Sequence, residues 1–284
     1  MKQVIVICGP TASGKTSLSI KLAKHYQLDV INGDSVQIFK GYNIGSAKIK
    51  DDDMQGITHH LINIKDANET YDVSKFQKDV RQLIHQQSTS MIVGGTGLYI
   101  KAALYDYHFY EESNNEIIDF PSEEMMIKTI YEADPNASFD HKNLKRVKRM
   151  YQKVMFGHKP SENIHKDKPL FDILTLYLDI PRDILKKRII QRLEEQIDQG
   201  FIEEVQHLSK HGSVKDVIGY REIQAYLNQK MTLEEAKTQI VKKSMAFAKR
   251  QKTWFMNQMH PIIIDGLSKD ILEKSIKEID AWKK

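Results

Sequence analysis

Cysteine and long apolar runs are nearly absent from this sequence of 284 residues. Its one cysteine, Cys8, cannot form an internal disulfide, and its place before a glycine-rich segment favours a small buried residue over a nucleophile. No apolar stretch approaches the length of about 20 residues that a membrane-spanning helix requires. Because Met1 and Lys2 lead directly into an apolar run, we expect no signal peptide and predict a cytoplasmic protein without a membrane partner.

Internal repeats and low-complexity tracts are also absent, so nothing indicates a repeat architecture. With 40% hydrophobic and 28% charged residues, a chain of this length can form one large domain, or a core domain with a smaller appended one. The net charge is only +4. This mild basic bias permits a nucleic-acid partner without requiring one.

A glycine-rich segment near the start of the chain follows the apolar run Val4–Cys8 and precedes a helical pattern. The order strand, loop, helix, with G-x-x-x-x-G-K-T at the joint, predicts a phosphate-binding loop. In such a loop backbone N–H groups converge on an anion, Lys15 neutralises phosphate oxygens, and the Thr16 hydroxyl can hold Mg²⁺. The predicted phosphate-binding residues are Gly9, Pro10, Thr11, Ala12, Ser13, Gly14, Lys15 and Thr16.

Two further apolar runs end in polar residues. Residues 28–35 read as a second parallel strand that ends at Asp34 and Ser35, and residues 91–97 read as a strand that enters a glycine turn with Thr96. Ligands of open α/β sheets bind at the carboxyl ends of the strands. We therefore expect Asp34, Ser35 and Thr96 to open into the same crevice as the glycine loop, with Asp34 serving catalysis or a metal.

The alternation of strands and helices stops between residues 105 and 168. We predict an α/β fold, a P-loop NTPase-like parallel sheet flanked by helices, with a core at 1–104 and 169–284 and a mainly helical insertion at 105–168. Within the insertion, helices are predicted over 121–133 and 138–156. Six apolar residues should form one face of the second helix: Leu144, Val147, Met150, Tyr151, Val154 and Met155.

The second half of the insertion is strongly basic. Residues 141–168 contain seven lysines and two arginines against two acidic residues, a net charge of +7 that exceeds the charge of the whole chain. The cations form a stripe opposite the apolar face of the helix, and a phosphate backbone is the natural partner of such a stripe. A solvated helix face is the alternative explanation.

After the insertion, residues 171–179 return to strand character, and Pro181 opens a helical pattern that bends at Gly200. Thr232 with Glu235 forms a capping box for a helix that runs to about Met259. A last strand and a last helix are predicted at 261–265 and 269–282.

These features fit three classes of function. A P-loop kinase would use the loop for ATP and Asp34 as the base for an acceptor hydroxyl. An enzyme that modifies nucleic acid would use the loop for a diphosphate leaving group and the basic insertion for the polynucleotide. A nucleotide-gated binding module would have no use for Asp34. Periodicity does not separate the three.

Seven segments of the chain resemble, in order, the signature segments of bacterial tRNA dimethylallyltransferases, and the resemblance spans nearly the whole chain. Ordered motifs of this number are far more specific than a P-loop alone. The segments are residues 9–16 (GPTASGKT), 34–39 (DSVQIF), 43–48 (NIGSAK), 59–62 (HHLI), 94–99 (GGTGLY), 218–222 (IGYRE) and 249–255 (KRQKTWF).

The resemblance implies transfer of a dimethylallyl group from dimethylallyl diphosphate to N6 of the adenosine 3′ of the anticodon, position 37 of tRNA. It implies catalytic roles for Lys15 and Mg²⁺ at Thr16 on the diphosphate, for Asp34 as the group that takes the proton from N6, and for Thr96 beside the diphosphate. A monomer that binds the anticodon stem-loop is expected. The implied tRNA-binding residues are Asp34, Ser35, Val36, Gln37, Thr96, Arg146, Arg149, Gly219, Tyr220 and Arg250.

The sequence departs from the family pattern at several places. Met150, Tyr151 and Gln152 stand where an Ala-Leu-Glu run is usual, and the insertion and the stretch 211–217 are shorter than expected. Leu144 follows Asn143 where an aspartate is usual, and Met245 stands where an arginine is usual, so one cation near the diphosphate or tRNA is absent or supplied elsewhere. The second candidate is an adenylate dimethylallyltransferase that acts on a free nucleotide, against which the basic insertion argues, because a mononucleotide needs no +7 stripe. A P-loop kinase of a small molecule comes third.

Overall fold

The computed structural model describes residues 1–109, 119–162, 167–212 and 214–284. The chain divides into two compact units, one formed by Met1–Leu104 with Leu170–Lys284 and the other by Tyr105–Pro169. Residues 163–166, which include Lys166 of the basic stretch, lie outside the described part. None of the described helices is long and apolar enough to cross a membrane.

A six-stranded parallel sheet forms the centre of the first unit and confirms the predicted fold class. The strands at its centre carry continuous apolar runs, as expected for strands that are covered on both faces. Cys8, at the end of the central strand, is fully buried as predicted. In spatial order the strands are β3 (His59–His60), β2 (Val30–Asn32), β4 (Thr89–Gly94), β1 (Gln3–Cys8), β5 (Asp172–Asp179) and β6 (Ile262–Asp265).

Eight helices of this unit are described. The capping box of Thr232 and Glu235 forms as predicted, and the bend predicted at Gly200 divides two separate helices because Gly200 adopts φ 99°. The helices are α1 (Lys15–Tyr26), α2 (Val73–Gln86), α3 (Gly97–Leu104), α6 (Arg182–Asp198), α7 (Phe201–Lys210), α8 (Tyr220–Leu227), α9 (Leu233–Met259) and α10 (Ile271–Lys283).

The core lies between the sheet and the helices on its faces. Ile5 and Ile7 of β1 are fully buried with Leu22 of α1, Leu176 of β5 and Ile279 of α10. Each fully buried aliphatic side chain of this kind contributes about 1.5–3 kcal/mol of transfer free energy. The core therefore fixes the strands in register, so that the loops that follow β1, β2 and β4 emerge together at one edge of the sheet.

The second unit is helical, with α4 (Glu123–Ala133) and α5 (Leu144–Met155) around a small core of its own. The helix predicted at 138–156 is wrong at its start, because the Asn143 side chain accepts from the N–H of Arg146 and caps α5 there. The predicted apolar face of α5 is buried only in its middle. Leu144 and Met155 are 46% and 51% exposed, since only the middle turns of α5, with Val147 and Tyr151, are buried in that core.

Candidate active site at the carboxyl ends of the strands

The glycine loop joins β1 to α1 as the sequence predicts. Gly14 adopts φ 92° at the start of α1, and a Cβ on Gly9 would lie 2.9 Å from the carbonyl oxygen of Leu178, so both positions require glycine. Lys15 Nζ donates to the carbonyl oxygens of Gly9 and Pro10, at 2.9 and 2.7 Å. The ammonium group is thus held against the loop itself, beside the N-terminus of α1.

The electrostatics of the loop favour an anion. Burial lowers the pKa of Lys15 to about 8, while the Asp34 carboxylate raises it and the Arg192 guanidinium lowers it. Burial disfavours the charged form of this lysine, and a bound phosphate would stabilise that form through its negative charge. The positive N-terminal end of the α1 dipole also attracts an anion.

Asp34 and Thr96 come together as the strand-end argument predicts. The N–H of Asp34 donates to Asn32 Oδ1 at 3.0 Å, and Asp34 Oδ1 accepts from the N–H of Val36 at 2.9 Å. Thr96 Oγ1 accepts from the N–H of Ser35 at 3.1 Å, which ties the turn after β4 to the turn after β2. Among the described residues, Asp34 Oδ2 has no hydrogen-bond partner, so one carboxylate oxygen is available to a ligand.

Two cavities meet at Asp34. Cavity A, of about 120 Å³, is lined by Lys15, Thr16 and Asp34, and cavity B, of about 410 Å³, by Asp34, Ser35 and Thr96. The volume of cavity B lies within the range of small-molecule sites. Both cavities are also lined by Thr11, Ser46, Ala47, Gly95, Arg192, Phe247 and Gln251. Asp34 therefore borders a small cavity beside the glycine loop and a larger one beyond it.

Residues 43–48, which we name the wall segment, contribute to both cavities and to a third, cavity C, of about 780 Å³. Gln37 Nε2 donates to the carbonyl oxygens of Ser46 and Ala47, at 3.2 and 3.5 Å. The predicted residue Gln37 thus holds the wall segment and also lines cavity A, while Val36 lines cavity B.

Two arginines of α6 approach the glycine loop, and the sequence analysis missed both. Arg192 Nη1 donates to Thr11 Oγ1 and Arg188 Nη1 to the carbonyl oxygen of Ala12, each at 3.3 Å. Their spacing of four residues places them on one face of a helix that follows a sheet strand, a signal that could have identified them. Met245 lies in an apolar cluster with Ile180 and is only 8% exposed, so α6 supplies cations beside the loop while Met245 packs in the core.

Helix α9 closes the same edge of the sheet. Gln251 Nε2 donates to the carbonyl oxygen of Gly95 at 2.8 Å, which fixes the turn that carries Thr96. Arg250 is exposed and lines cavity B. Lys252 instead forms an ion pair with Asp179 at 2.7 Å. The segment 249–255 therefore contributes Arg250 and Gln251 to the lining of cavity B, while Lys252 does not line it.

The remaining predicted tRNA-binding residues are distributed differently. Gly219 lines cavity B, but Tyr220 is fully buried and donates its hydroxyl proton to Glu204 Oε1 at 2.7 Å. Tyr220 therefore supports the cavity from behind. Arg146 and Arg149 lie on α5 of the second unit, where both are exposed.

Comparisons with known proteins agree on one family. The model of the IPP transferase family matches residues 37–258. The tRNA dimethylallyltransferase of Acholeplasma laidlawii is 48% identical over 98% of this chain and 98% of its own length. That of Bacillus pumilus is 41% identical over 90% of this chain and 87% of its own.

Solved structures agree as well. A tRNA isopentenylpyrophosphate transferase of Staphylococcus epidermidis has a TM-score of 0.75 at 29% identity, covering 99% of this chain and all of its own. A eukaryotic dimethylallyltransferase described as acting on tRNA has a TM-score of 0.86 at 26% identity, with 98% of this chain and 78% of its own covered. The motifs, the strand-end site and these matches over nearly the full length place the chain in the IPP transferase family.

Proposed function

We propose that this chain transfers the dimethylallyl group of dimethylallyl diphosphate to N6 of the adenosine 3′ of the anticodon in tRNA, giving N6-isopentenyladenosine. The observation that carries the proposal is the position of Asp34, whose carboxylate lines both cavity A, with its lysine and arginine, and the larger cavity B. The names of the relatives favour tRNA over a free adenylate as the acceptor.

Asp34 is the general base of the proposed reaction. An exocyclic amine of adenine is a weak nucleophile, so a carboxylate that takes its proton during attack lowers the barrier. Asp34 Oδ1 is already held by the N–H of Val36, which leaves Oδ2 to accept the proton. In the balanced step the C–O bond between the allylic carbon and the diphosphate breaks, a C–N6 bond forms, and the N6 proton passes to Asp34.

Lys15, with the loop N–H groups, binds the diphosphate and stabilises the charge that develops as it departs. Positive groups that are fixed before the reaction supply such stabilisation without reorganising, often several kcal/mol in total. Arg188 and Arg192 add two guanidinium groups at the loop, at 3.3 Å from Ala12 and Thr11. Lys15 must leave its two carbonyl partners to reach the phosphate, so we expect the ammonium group to swing outward on binding.

The residues present suit a magnesium ion. Thr16 is exposed at the first turn of α1 and lines cavity A, so its hydroxyl oxygen is available. In the described part of the chain no three His, Cys, Asp or Glu side chains are grouped to hold a metal. This agrees with an ion held mainly by water and diphosphate oxygens, the usual arrangement for Mg²⁺. When bound, it would neutralise charge on the leaving group.

Cavity B would receive the adenosine. A stacked base of the anticodon loop is out of reach of a strand-end carboxylate, so the nucleoside must be flipped out. The exposed cations Arg146 and Arg149 of the second unit would contact the anticodon stem and loop through phosphates. With tRNA as its substrate, the enzyme would work in the cytoplasm.

A transfer assay with three acceptors tests the proposal. Purified protein with dimethylallyl diphosphate and Mg²⁺ is incubated with unmodified tRNA, with AMP, or with ATP, and the products are identified by mass spectrometry. We expect prenylated adenosine at the position 3′ of the anticodon of tRNA alone. Product from AMP or ATP and none from tRNA would overturn the tRNA assignment.

The role of Asp34 is tested by Asp34→Asn, with Asp66→Asn as the matched control because Asp66 lies in a surface ion pair with Lys40. Loss of the base should lower the transfer rate by at least about 10²-fold. Binding of inorganic diphosphate, measured by calorimetry, should stay nearly unchanged. Unchanged turnover in Asp34→Asn would remove Asp34 from the mechanism.

A further inference from the structure

Glu204 of α7 holds the wall segment from outside it. Its carboxylate accepts the N–H groups of three successive residues, Asn43 at 2.9 Å, Ile44 at 2.8 Å and Gly45 at 3.1 Å. The hydroxyl of the buried Tyr220 donates to the same carboxylate at 2.7 Å. Hydrogen bonds to an ionised acceptor are roughly twice as strong as neutral ones, so four on one carboxylate form a firm anchor.

The carbonyl side of the same peptides is held as well. Gln196 Nε2, on α6, donates to the carbonyl oxygens of Ile44 and Gly45, at 2.6 and 3.2 Å. The turn at Gly200 brings Gln196 and Glu204 together, one from each of two successive helices. The peptides around Gly45 are therefore clamped on their N–H groups and on their carbonyl groups by side chains about 150–160 residues away in the sequence.

Packing closes the arrangement at Gly45. A Cβ on Gly45 would lie 2.1 Å from the Phe201 ring and 2.7 Å from the Tyr220 ring, so the backbone touches both aromatic rings directly. The two rings meet edge to face, 5.1 Å apart, and Tyr220 also packs on Tyr42 at 4.7 Å. Gly45, Ser46 and Ala47 line cavity B together with Phe201.

We propose that Glu204 is a positioning residue for cavity B, whose carboxylate holds the wall segment in the shape that receives the flipped adenosine. The inference rests on the proposed function, because it takes cavity B as the adenosine site. Glu204 does not line cavity B and acts through Asn43, Ile44 and Gly45. None of the seven motifs contains it, so its role follows only from the fold.

Binding of two anticodon stem-loops tests the role without any transfer step. One carries adenosine 3′ of the anticodon, and the other carries an abasic site there and is otherwise identical. Dissociation constants are measured for the intact chain, for Glu204→Gln and for the matched control Glu203→Gln, which removes the same charge from an exposed neighbour on α7. Glutamine keeps the size of the side chain, but its NH₂ group cannot accept hydrogen bonds from the N–H groups that Glu204 binds.

We expect Glu204→Gln to weaken binding of the adenosine stem-loop about tenfold and to leave the abasic stem-loop within about twofold. Glu203→Gln should change neither. Tyr220→Phe, which removes one of the four donors to Glu204, should give a smaller loss of the same kind. A merely structural role would change both stem-loops in proportion to the folded fraction, which circular dichroism measures in parallel.

Equal weakening of both stem-loops by Glu204→Gln, or no change in either, overturns the proposal. Failure of this proposal can be distinguished from failure of the proposed function. If the unaltered chain prenylates the adenosine stem-loop while the ratio of the two dissociation constants is unchanged in Glu204→Gln, only the role of Glu204 is wrong. If the unaltered chain forms no prenylated product, the function itself is wrong.

Discussion

The glycine loop and the wall segment border the same cavities but differ in the balance of local and long-range contacts that hold them. In the loop, residues 9–16, the geometry comes from local backbone conformation, and Lys15 bonds to carbonyl groups five and six residues away. The wall segment, residues 43–48, is held by Glu204 and Gln196, which lie 150 or more residues away in the sequence. A locally encoded glycine loop thus faces a wall whose shape depends on long-range contacts.

The largest expected effect concerns the local element. Lys15→Met removes the one cation that belongs to the loop itself, and we expect kcat/KM for the transfer to fall about 10³-fold, because charge on the departing diphosphate loses a fixed partner. Steady-state kinetics with the tRNA stem-loop measure it. Lys24→Met, an exposed position at the far end of α1, should change kcat/KM by no more than about twofold. A similar loss in both variants would contradict a special role of the loop cation.

Substitution of one glycine in each segment distinguishes crowding by distant side chains from local backbone strain. Gly45→Ala should lower the free energy of unfolding by about 2 kcal/mol, because its Cβ would lie inside the Phe201 ring contact. Gly14→Ala should cost about 1–2 kcal/mol for the different reason that Gly14 adopts φ 92°. Urea denaturation measures both.

A second substitution shows which reason applies. Phe201→Leu made in Gly45→Ala should recover part of the lost stability, a coupling that a double-mutant cycle reveals. No neighbouring truncation should rescue Gly14→Ala, since nothing lies within 4 Å of its Cβ position. If Phe201→Leu and Gly45→Ala prove additive, the crowding of the wall segment is not the cause.

The smallest effect is a pH dependence of the wall segment. Lys48 Nζ donates to the carbonyl oxygen of Phe39 and to the side chains of Asn43 and Asn63, at 2.6, 3.0 and 2.6 Å. Burial lowers the pKa of Lys48 from 10.5 to about 8, against the opposing attraction of Glu204 and Asp34. Below pH 8 Lys48 is protonated in both the folded and the unfolded chain. Between pH of about 8 and 10.5 it is protonated more fully in the unfolded chain.

The contribution of Lys48 to the free energy of unfolding should therefore rise with pH across that window. Relative to Lys48→Met, the unaltered chain should gain about 1 kcal/mol of stability between pH 8 and 10. Denaturation curves of both proteins at matched pH cancel the other titrating groups. Parallel dependences of the two proteins on pH would contradict the shift.

The strands and the glycine loop could be predicted because their signals are local. Each signal is contained in a short segment of sequence. Examples are the apolar runs that become β1 and β5, the glycines of the loop, and the capping box of Thr232. The start of α5 was predicted at residue 138, but the helix begins at Leu144. The side chain of Asn143 caps the helix there. Tyr220, expected at the tRNA surface, is buried because its ring packs between Tyr42 and Phe201.

The sequence by itself determined that a glycine-rich loop follows the first strand of a parallel sheet, and that Asp34 and Thr96 come together at the strand ends beside it. The physical reason is that helix and strand periods and glycine turns are properties of short segments. Only the tertiary structure decided that Arg188 and Arg192 reach the loop, that Met245 is buried, and that Glu204 holds the wall segment. Those contacts join residues far apart in the chain, and no local pattern encodes which distant side chains will meet.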